Sequence, residues 1–309
     1  MQILNAEQTA RALPYAQLVP AVAQAARELA QQQIQAPERL VVPMTEGGVL
    51  LAMPAVGHDF SVTKLVTVHP GNGAQGLPVI QGEVVVMDTA TGRRLALLDG
   101  PTVTARRTAA VTLLGIQTLA PHTPETALLI GTGAQAAAHA DALVEHLGLV
   151  QFWIAARSLQ AAQVFCAALQ ARHPQARATA MAVSEMDNAL PATDLVLALT
   201  TSRTPVIPAH IGAQTLAIGV GAFKPDMAEF PRALLHSRQI VVDDLGGARH
   251  EAGDLLQAGV DWGQVRDLAS VLGSKPLFAS PVPVFKTVGQ AAWDLAAARV
   301  AMAAIQRSN

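Results

Sequence analysis

The stretch from 127 to 156 constrains the fold of this chain more than any other. Four apolar residues, Ala127-Leu-Leu-Ile130, run into the turn Gly131-Thr-Gly-Ala-Gln135. An Ala-rich helical pattern follows to about Leu147, and a second strand-like run, Gln151-Phe-Trp-Ile-Ala-Ala156, closes the unit. A strand without polar alternation is buried on both faces, as in a parallel sheet covered by helices. The succession therefore predicts a β-α-β unit. Further runs, Ala178-Thr-Ala-Met-Ala-Val183, Asp194-Leu-Val-Leu-Ala-Leu-Thr200, Thr215-Leu-Ala-Ile-Gly219 and Gln239-Ile-Val-Val-Asp243, extend it to a doubly wound, Rossmann-type domain.

The turn has a chemical use. Glycines between a buried strand and a helix let backbone N–H groups and a helix N-terminus approach a pyrophosphate, which makes Gly131, Gly133, Ala134 and Gln135 candidate dinucleotide contacts. The usual third glycine is replaced by Ala136, still small enough for close helix-to-strand packing. About 20 residues on, where an NAD site places an acid for the ribose hydroxyls, the chain reads Ala155-Ala-Arg157-Ser158. No acid stands there. Arg157 can pair with a 2′-phosphate and Ser158 can donate to it, which favours NADPH over NADH; the alternative is that Arg157 is a solvated cation at a strand end.

Upstream, apolar positions at helical spacing between 6 and 33 predict an amphipathic helix. Leu40-Val-Val42, Val49-Leu-Leu-Ala-Met53, Thr63-Lys-Leu-Val-Thr-Val68, Glu83-Val-Val-Val-Met-Asp88 and Thr91-Gly-Arg-Arg-Leu-Ala-Leu-Leu98 read as strands of a mostly antiparallel sheet, and helical spacing returns from 104 to 119. A last helix is expected from 288 to 306, packing back on the first domain.

With 309 residues, 51% of them apolar, the chain can bury two ordinary cores. It has no apolar run long enough for a membrane span and no secretory signal pattern at its start, so a cytoplasmic protein is expected. Net charge is −2 with basic residues scattered, which gives no footprint for nucleic acid. The nine His residues lie in separate segments without metal-ligand spacing, and the single Cys166 reads as a small core residue, so no metal is expected.

Taken in order, Thr63-Lys-Leu-Val66, Thr104-Ala-Arg-Arg-Thr-Ala-Ala110, Gly131-Thr-Gly-Ala-Gln135, Thr200-Thr-Ser-Arg-Thr-Pro205, Val242-Asp-Asp244 and Phe285-Lys-Thr-Val-Gly289 resemble successive motifs of the ornithine cyclodeaminase/mu-crystallin family over nearly the whole chain. That family comprises ornithine cyclodeaminases, some alanine dehydrogenases, and ketimine reductases including mu-crystallin. The resemblance implies an α/β protein: a substrate-binding and dimerisation domain of α+β type at 1–119 and 288–309, a dinucleotide-binding domain at 120–287, and a homodimer. It implies that Arg39, Lys64 and Arg107 hold a substrate carboxylate and that Thr200 and Val220 join the cofactor contacts. Arg supplies a planar fork for a carboxylate, and a Lys beside other cations has a depressed pKa.

One departure decides between activities. The stretch Val220-Gly-Ala-Phe-Lys-Pro-Asp226 places Phe223 where ornithine cyclodeaminases resemble one another in having a catalytic Asp, and its Pro225-Asp226 pair looks like the mu-crystallin side of the family. The expected activity is NADPH-dependent reduction of cyclic ketimine carboxylates, with Lys64 as proton source and Met53 and Phe223 shaping the ring pocket. Ornithine cyclodeamination, alanine dehydrogenation and a non-catalytic NADPH-regulated binding protein are the rivals. Asp243, Asp244 and Asp294 receive no catalytic role, because helix capping or turn formation accounts for acids at such places.

Overall fold

A computed structural model describes residues 1–186, 190–273 and 280–308. The chain divides into two units: unit 1 is Met1–Ala110 with Gln290–Asn309, and unit 2 is Val111–Gly289. The division falls inside helix Gly100–Leu119, earlier than the expected border after 119.

Unit 1 is built on a six-stranded sheet of β1 (Gln2–Leu4), β2 (Leu40–Pro43), β3 (Val49–Val56), β4 (Phe60–Val68), β5 (Ile80–Asp88) and β6 (Arg94–Asp99), in the spatial order β1-β6-β5-β4-β3-β2. All neighbours are antiparallel except β1, a strand absent from the sequence reading, which pairs in parallel with β6. Along β4 the side chains of Val62, Lys64 and Val66 fall on the buried face, the period-2 consequence of a pleated strand. Helices Tyr15–Ala30 and Ala291–Ser308 pack on each other, and the latter lies against β3 and β4. Arg299 ties them further, 2.6 Å from Glu28 and 2.9 Å from Asp59.

The single helix expected between 6 and 33 is two, Ala6–Ala12 and Tyr15–Ala30. Pro14 causes the break: it lacks the N–H a continuing helix needs and pushes Leu13 away from helical backbone angles. Asn5 and Gln8 cap the first piece reciprocally.

Unit 2 is an eight-stranded, all-parallel Rossmann-type sheet. Its strands are β7 (Thr126–Ile130), β8 (Gln151–Ala156), β9 (Arg177–Ala182), β10 (Leu195–Ala198), β11 (Leu216–Gly219), β12 (Ile240–Val242), β13 (Arg266–Asp267) and β14 (Val284–Lys286). They lie in the order β13-β12-β14-β11-β10-β7-β8-β9. The chain leaves β7 for β8 and β9 on one side and returns for β10 on the other, so the switch point of the topology lies between β7 and β10. Ligands of open parallel sheets bind at the carboxyl ends of the strands beside such a point. The core includes Leu128, Ile130, Val196, Ala198, Ala217, Val242 and Val284. Two strands, β13 and β14, escaped the sequence reading: β13 is the polar pair Arg266–Asp267, and β14 carries a lysine among its three residues.

The last helix starts at Ala291 instead of 288, because the N–H groups of Val288 and Gly289 donate to the carboxylate of Asp243 and Gly289 has a φ of +84°. Among the described residues, no helix is long and apolar enough to cross a membrane, and no group of three or more His, Cys, Asp or Glu is placed to hold a metal.

Candidate functional site

Both units carry candidate functional side chains. In unit 2 the residues expected to contact a dinucleotide share one edge of the sheet. Gly131 follows β7, Arg157 and Ser158 follow β8, Thr200 follows β10 and Val220 follows β11, and these four strands are adjacent. Gly131 must be glycine twice over: its φ is +119°, and an added Cβ would lie 2.6 Å from the carbonyl oxygen of Leu199. An added Cβ at Gly133 would meet nothing within 4 Å, which leaves the start of helix Ala134–Leu147 open, with no side chain capping its N–H groups. The carboxamide oxygen of Gln135 is buried there without a hydrogen-bond partner. A cleft of about 630 Å³ is lined by Thr132, Gly133, Ala134, Ser158, Gln160 and Phe165, among others. An open glycine turn and helix N–H groups without a side-chain cap fit the phosphates of a dinucleotide, whose oxygens accept.

Ser158 and Arg157 are both exposed, and Ser158 caps helix Leu159–Arg172 by accepting from the Ala161 N–H at 3.4 Å. Val220 is buried and its N–H donates to Ala198. Thr200 is held from below: its N–H and its hydroxyl both donate to Oε1 of Glu229, at 2.7 and 3.0 Å. Phe223 is half-buried, with the ammonium of Lys224 5.8 Å from its ring centre.

Unit 1 holds a different cluster. Lys64 projects from the buried face of β4, opposite Met53 of β3 and Val84 of β5. Its Nζ lies 3.2 and 3.0 Å from the two carboxylate oxygens of Asp294, in the first turn of helix Ala291–Ser308. Nε of Arg107, on helix Gly100–Leu119, donates to Oδ1 of the same carboxylate at 3.1 Å. Lys64, Arg107 and Asp294 are 2, 5 and 0% exposed, so three charges sit together out of water. Burial lowers the Lys64 amine to about 7; the charge of Arg107 pushes the same way, Asp294 opposes it, and Arg39 depresses it further. Arg39 itself is half-buried.

Two cations against one carboxylate form a site short of negative charge when the Lys64 amine is protonated. Such a site can take an anion, since buried charge demands a counter-charge. An amine with a pKa near neutrality can also give and take a proton at ordinary pH.

Lys64 and Arg107 are thus brought together, and Asp294 is the residue the sequence reading passed over. Its spacing in an Ala-rich helix looked like capping. Only the packing of that helix on β4 turns it toward Lys64. Asp244 does cap a helix, accepting from Gly247, and Asp243 does hold a turn. A second buried set, Glu229, Asp254 and Lys286, was also missed. Burial raises Glu229 to about 7, against the charge of Lys286 and the N–H groups of Thr200 and Ala222, with Asp254 adding to the rise.

The pattern of the ornithine cyclodeaminase/mu-crystallin family matches residues 1–309. The Δ1-pyrroline-2-carboxylate/Δ1-piperideine-2-carboxylate reductase of Azospirillum brasilense is 47% identical over 304 residues, 98% of this chain and 96% of that protein. The Δ1-pyrroline-2-carboxylate reductase of Thermococcus litoralis, solved with NADH and L-proline, superposes with a TM-score of 0.88 at 24% identity over 100% of this chain and 98% of that one. An archaeal alanine dehydrogenase dimer with bound NAD superposes with a TM-score of 0.84 at 26% identity, covering 100% of this chain and 97% of that one. The chain belongs to the ornithine cyclodeaminase/mu-crystallin family.

Proposed function

We propose that the chain reduces cyclic ketimine carboxylates, Δ1-pyrroline-2-carboxylate to proline and Δ1-piperideine-2-carboxylate to pipecolate, with NADPH as reductant. The observation that carries this reading is the buried Lys64–Asp294–Arg107 cluster: it sets two cations against one carboxylate, as a carboxylate receiver should, and it contains an amine whose pKa burial lowers to about 7. The 47% identity to the Azospirillum brasilense reductase supports the substrate class.

Gly131, Gly133, Ala134 and Gln135 would hold NADPH, which would supply a hydride to the imine carbon. The chain's own residues do the rest. Arg107 and Arg39 orient the substrate carboxylate, which turns the reaction into an oriented step. That carboxylate also supplies the missing negative charge, so the imine nitrogen can accept a proton although cations surround it. Lys64 gives that proton as an ammonium and regains one from water afterwards. Met53, opposite Lys64 on β3, offers apolar surface to the ring, and the acid that would serve ornithine deamination is absent at 223.

The test is the fall in NADPH absorbance with each ketimine, run beside NADH, beside pyruvate with ammonia, and beside ornithine alone. Rapid oxidation with the ketimines is expected. Ammonia released from ornithine, or reduction of pyruvate in preference to the ketimines, would overturn the reading.

Arg157 and Ser158, at the end of β8, are assigned to the 2′-phosphate. Replacing Arg157 by Ala is expected to lower kcat/KM for NADPH by roughly 10- to 100-fold, the worth of a charge-assisted hydrogen bond, and to leave NADH within about 3-fold. Equal losses with both cofactors would take the phosphate away from Arg157.

The protein is proposed to act as a homodimer. All four residues of the edge strand β2 are exposed, and Leu40, Val41 and Val42 are 61, 49 and 41% accessible. An exposed apolar edge calls for a covering surface, and the archaeal relative of the same fold is a dimer. Changing Val41 to Lys is expected to convert the dimer to monomer in light scattering after size exclusion. A dimer that survives Val41→Lys would exclude β2 from the interface.

A further inference from the structure

The loops that follow β10 and β11 are fastened to one another by a buried carboxylate. Glu229 is fully buried, in the segment between β11 and helix Arg232–Ser237. Its Oε1 accepts from the N–H and hydroxyl of Thr200, at 2.7 and 3.0 Å; its Oε2 accepts from the N–H groups of Gly221 and Ala222, at 2.8 and 3.1 Å. Each oxygen thus serves one loop. The two loops touch so closely that a Cβ on Gly221 would fall 1.9 Å from the carbonyl oxygen of Thr200.

Glu229 is itself held. Its own N–H, with that of Phe230, donates to Oδ1 of Asp254. Lys286, at the end of β14 and also fully buried, lies 3.1 Å from Asp254 and 3.8 Å from Glu229, and its Nζ donates to the carbonyl of Gly219 at 3.4 Å. Three ionisable side chains are therefore taken out of water to fix four backbone or hydroxyl donors at the carboxyl ends of β10 and β11. Buried charges of this kind cost desolvation, and replacement by apolar residues of similar volume is often neutral or stabilising. What they fix is the edge where a parallel sheet places its ligand.

We propose that Glu229 is a positioning residue for the dinucleotide, setting the Thr200 and Val220–Ala222 loops through its two oxygens, with Lys286 and Asp254 as its supports. The proposal rests on the dinucleotide reading of the Gly131 turn. Gln at 229 keeps the shape but puts an NH2 group where one oxygen stood. Either orientation then aims it at a backbone N–H, of Thr200 or of Gly221 and Ala222, that has to find another acceptor.

Glu229→Gln is compared with wild type by fluorescence titration of NADPH and by steady-state kinetics, each at a temperature where circular dichroism shows both folded. The expected result is a rise of roughly 10- to 100-fold in the Kd and KM for NADPH, as for loss of charged hydrogen bonds, with the KM for the ketimine carboxylate within about 2-fold. Lys286→Met is expected to follow the same pattern. Val265→Ala, a core truncation in the same unit, is the control for lost stability, and its NADPH Kd should stay at the wild-type value. Wild-type NADPH affinity in folded Glu229→Gln overturns the proposal, as does an equal rise in Kd for Val265→Ala. Wild-type protein that binds neither NADPH nor NADH overturns the dinucleotide reading itself, a separate outcome.

Discussion

Replacing Lys64 by Met is expected to lower kcat for ketimine reduction by two to four orders of magnitude, the range that a positioned proton donor contributes, while NADPH affinity stays within about 2-fold. Lys64 lies on β4 of unit 1, and the residues proposed to hold the nucleotide lie in unit 2, so the substitution separates the two roles. The wild-type pH profile supplies an independent measure. Burial and Arg107 bring the Lys64 amine down to about 7 in the free protein. Below that pH it is an ammonium and can donate; above it the donor is lost. For reduction, kcat/KM should therefore fall about tenfold per pH unit above that value. Bound substrate adds a carboxylate beside Lys64, which favours the ammonium, so the same limb in kcat should lie at higher pH. Initial rates across roughly pH 6 to 9 would show both limbs. Undiminished turnover in Lys64→Met, or a flat wild-type kcat/KM across neutrality, would remove Lys64 from proton transfer.

The parts of this protein that were legible in the sequence are those governed by local periodicity. The uninterrupted apolar run of β7 announced a parallel sheet, the glycine turn announced its own open backbone, and alternation along 63–68 announced a strand with one buried face. On that strand Lys64 occupies an inward position, so its burial could be read from the pattern alone. What periodicity does not encode is which distant acid meets that amine. Asp294 lies 230 positions away, and only the docking of the last helix on β4 joins them. The Glu229–Asp254–Lys286 set was invisible for the same reason. Its members come from two loop-proximal segments and from a three-residue strand inserted between β11 and β12, a position fixed by sheet order alone.

Asp294 offers the sharpest contrast between a local and a tertiary account of one residue. If it served the helix N-terminus, Asn would replace it at little cost, because Asn and Asp are comparable in capping. The packing predicts otherwise. Asp294 is completely buried and is the carboxylate that both Lys64 and Arg107 contact, so Asp294→Asn leaves two cations out of water without their counter-charge. Removing one member of a buried ion pair typically costs about 3–5 kcal/mol, and a loss of that size should appear as a fall in melting temperature of roughly 5 to 8 °C for a chain this long. The Lys64 amine also loses the carboxylate that raises it, so the surviving activity should show its kcat/KM limb displaced below about 7, opposite to the shift that bound substrate produces. Proline or pyrrole-2-carboxylate should then raise the melting temperature of Asp294→Asn more than that of wild type, because the ligand's carboxylate replaces the lost charge. In a Lys64→Met background the same substitution should cost less than it does alone, since a cation it compensates is already gone. Additive losses in that cycle, or a melting temperature unchanged by Asp294→Asn, would return Asp294 to an ordinary first-turn residue.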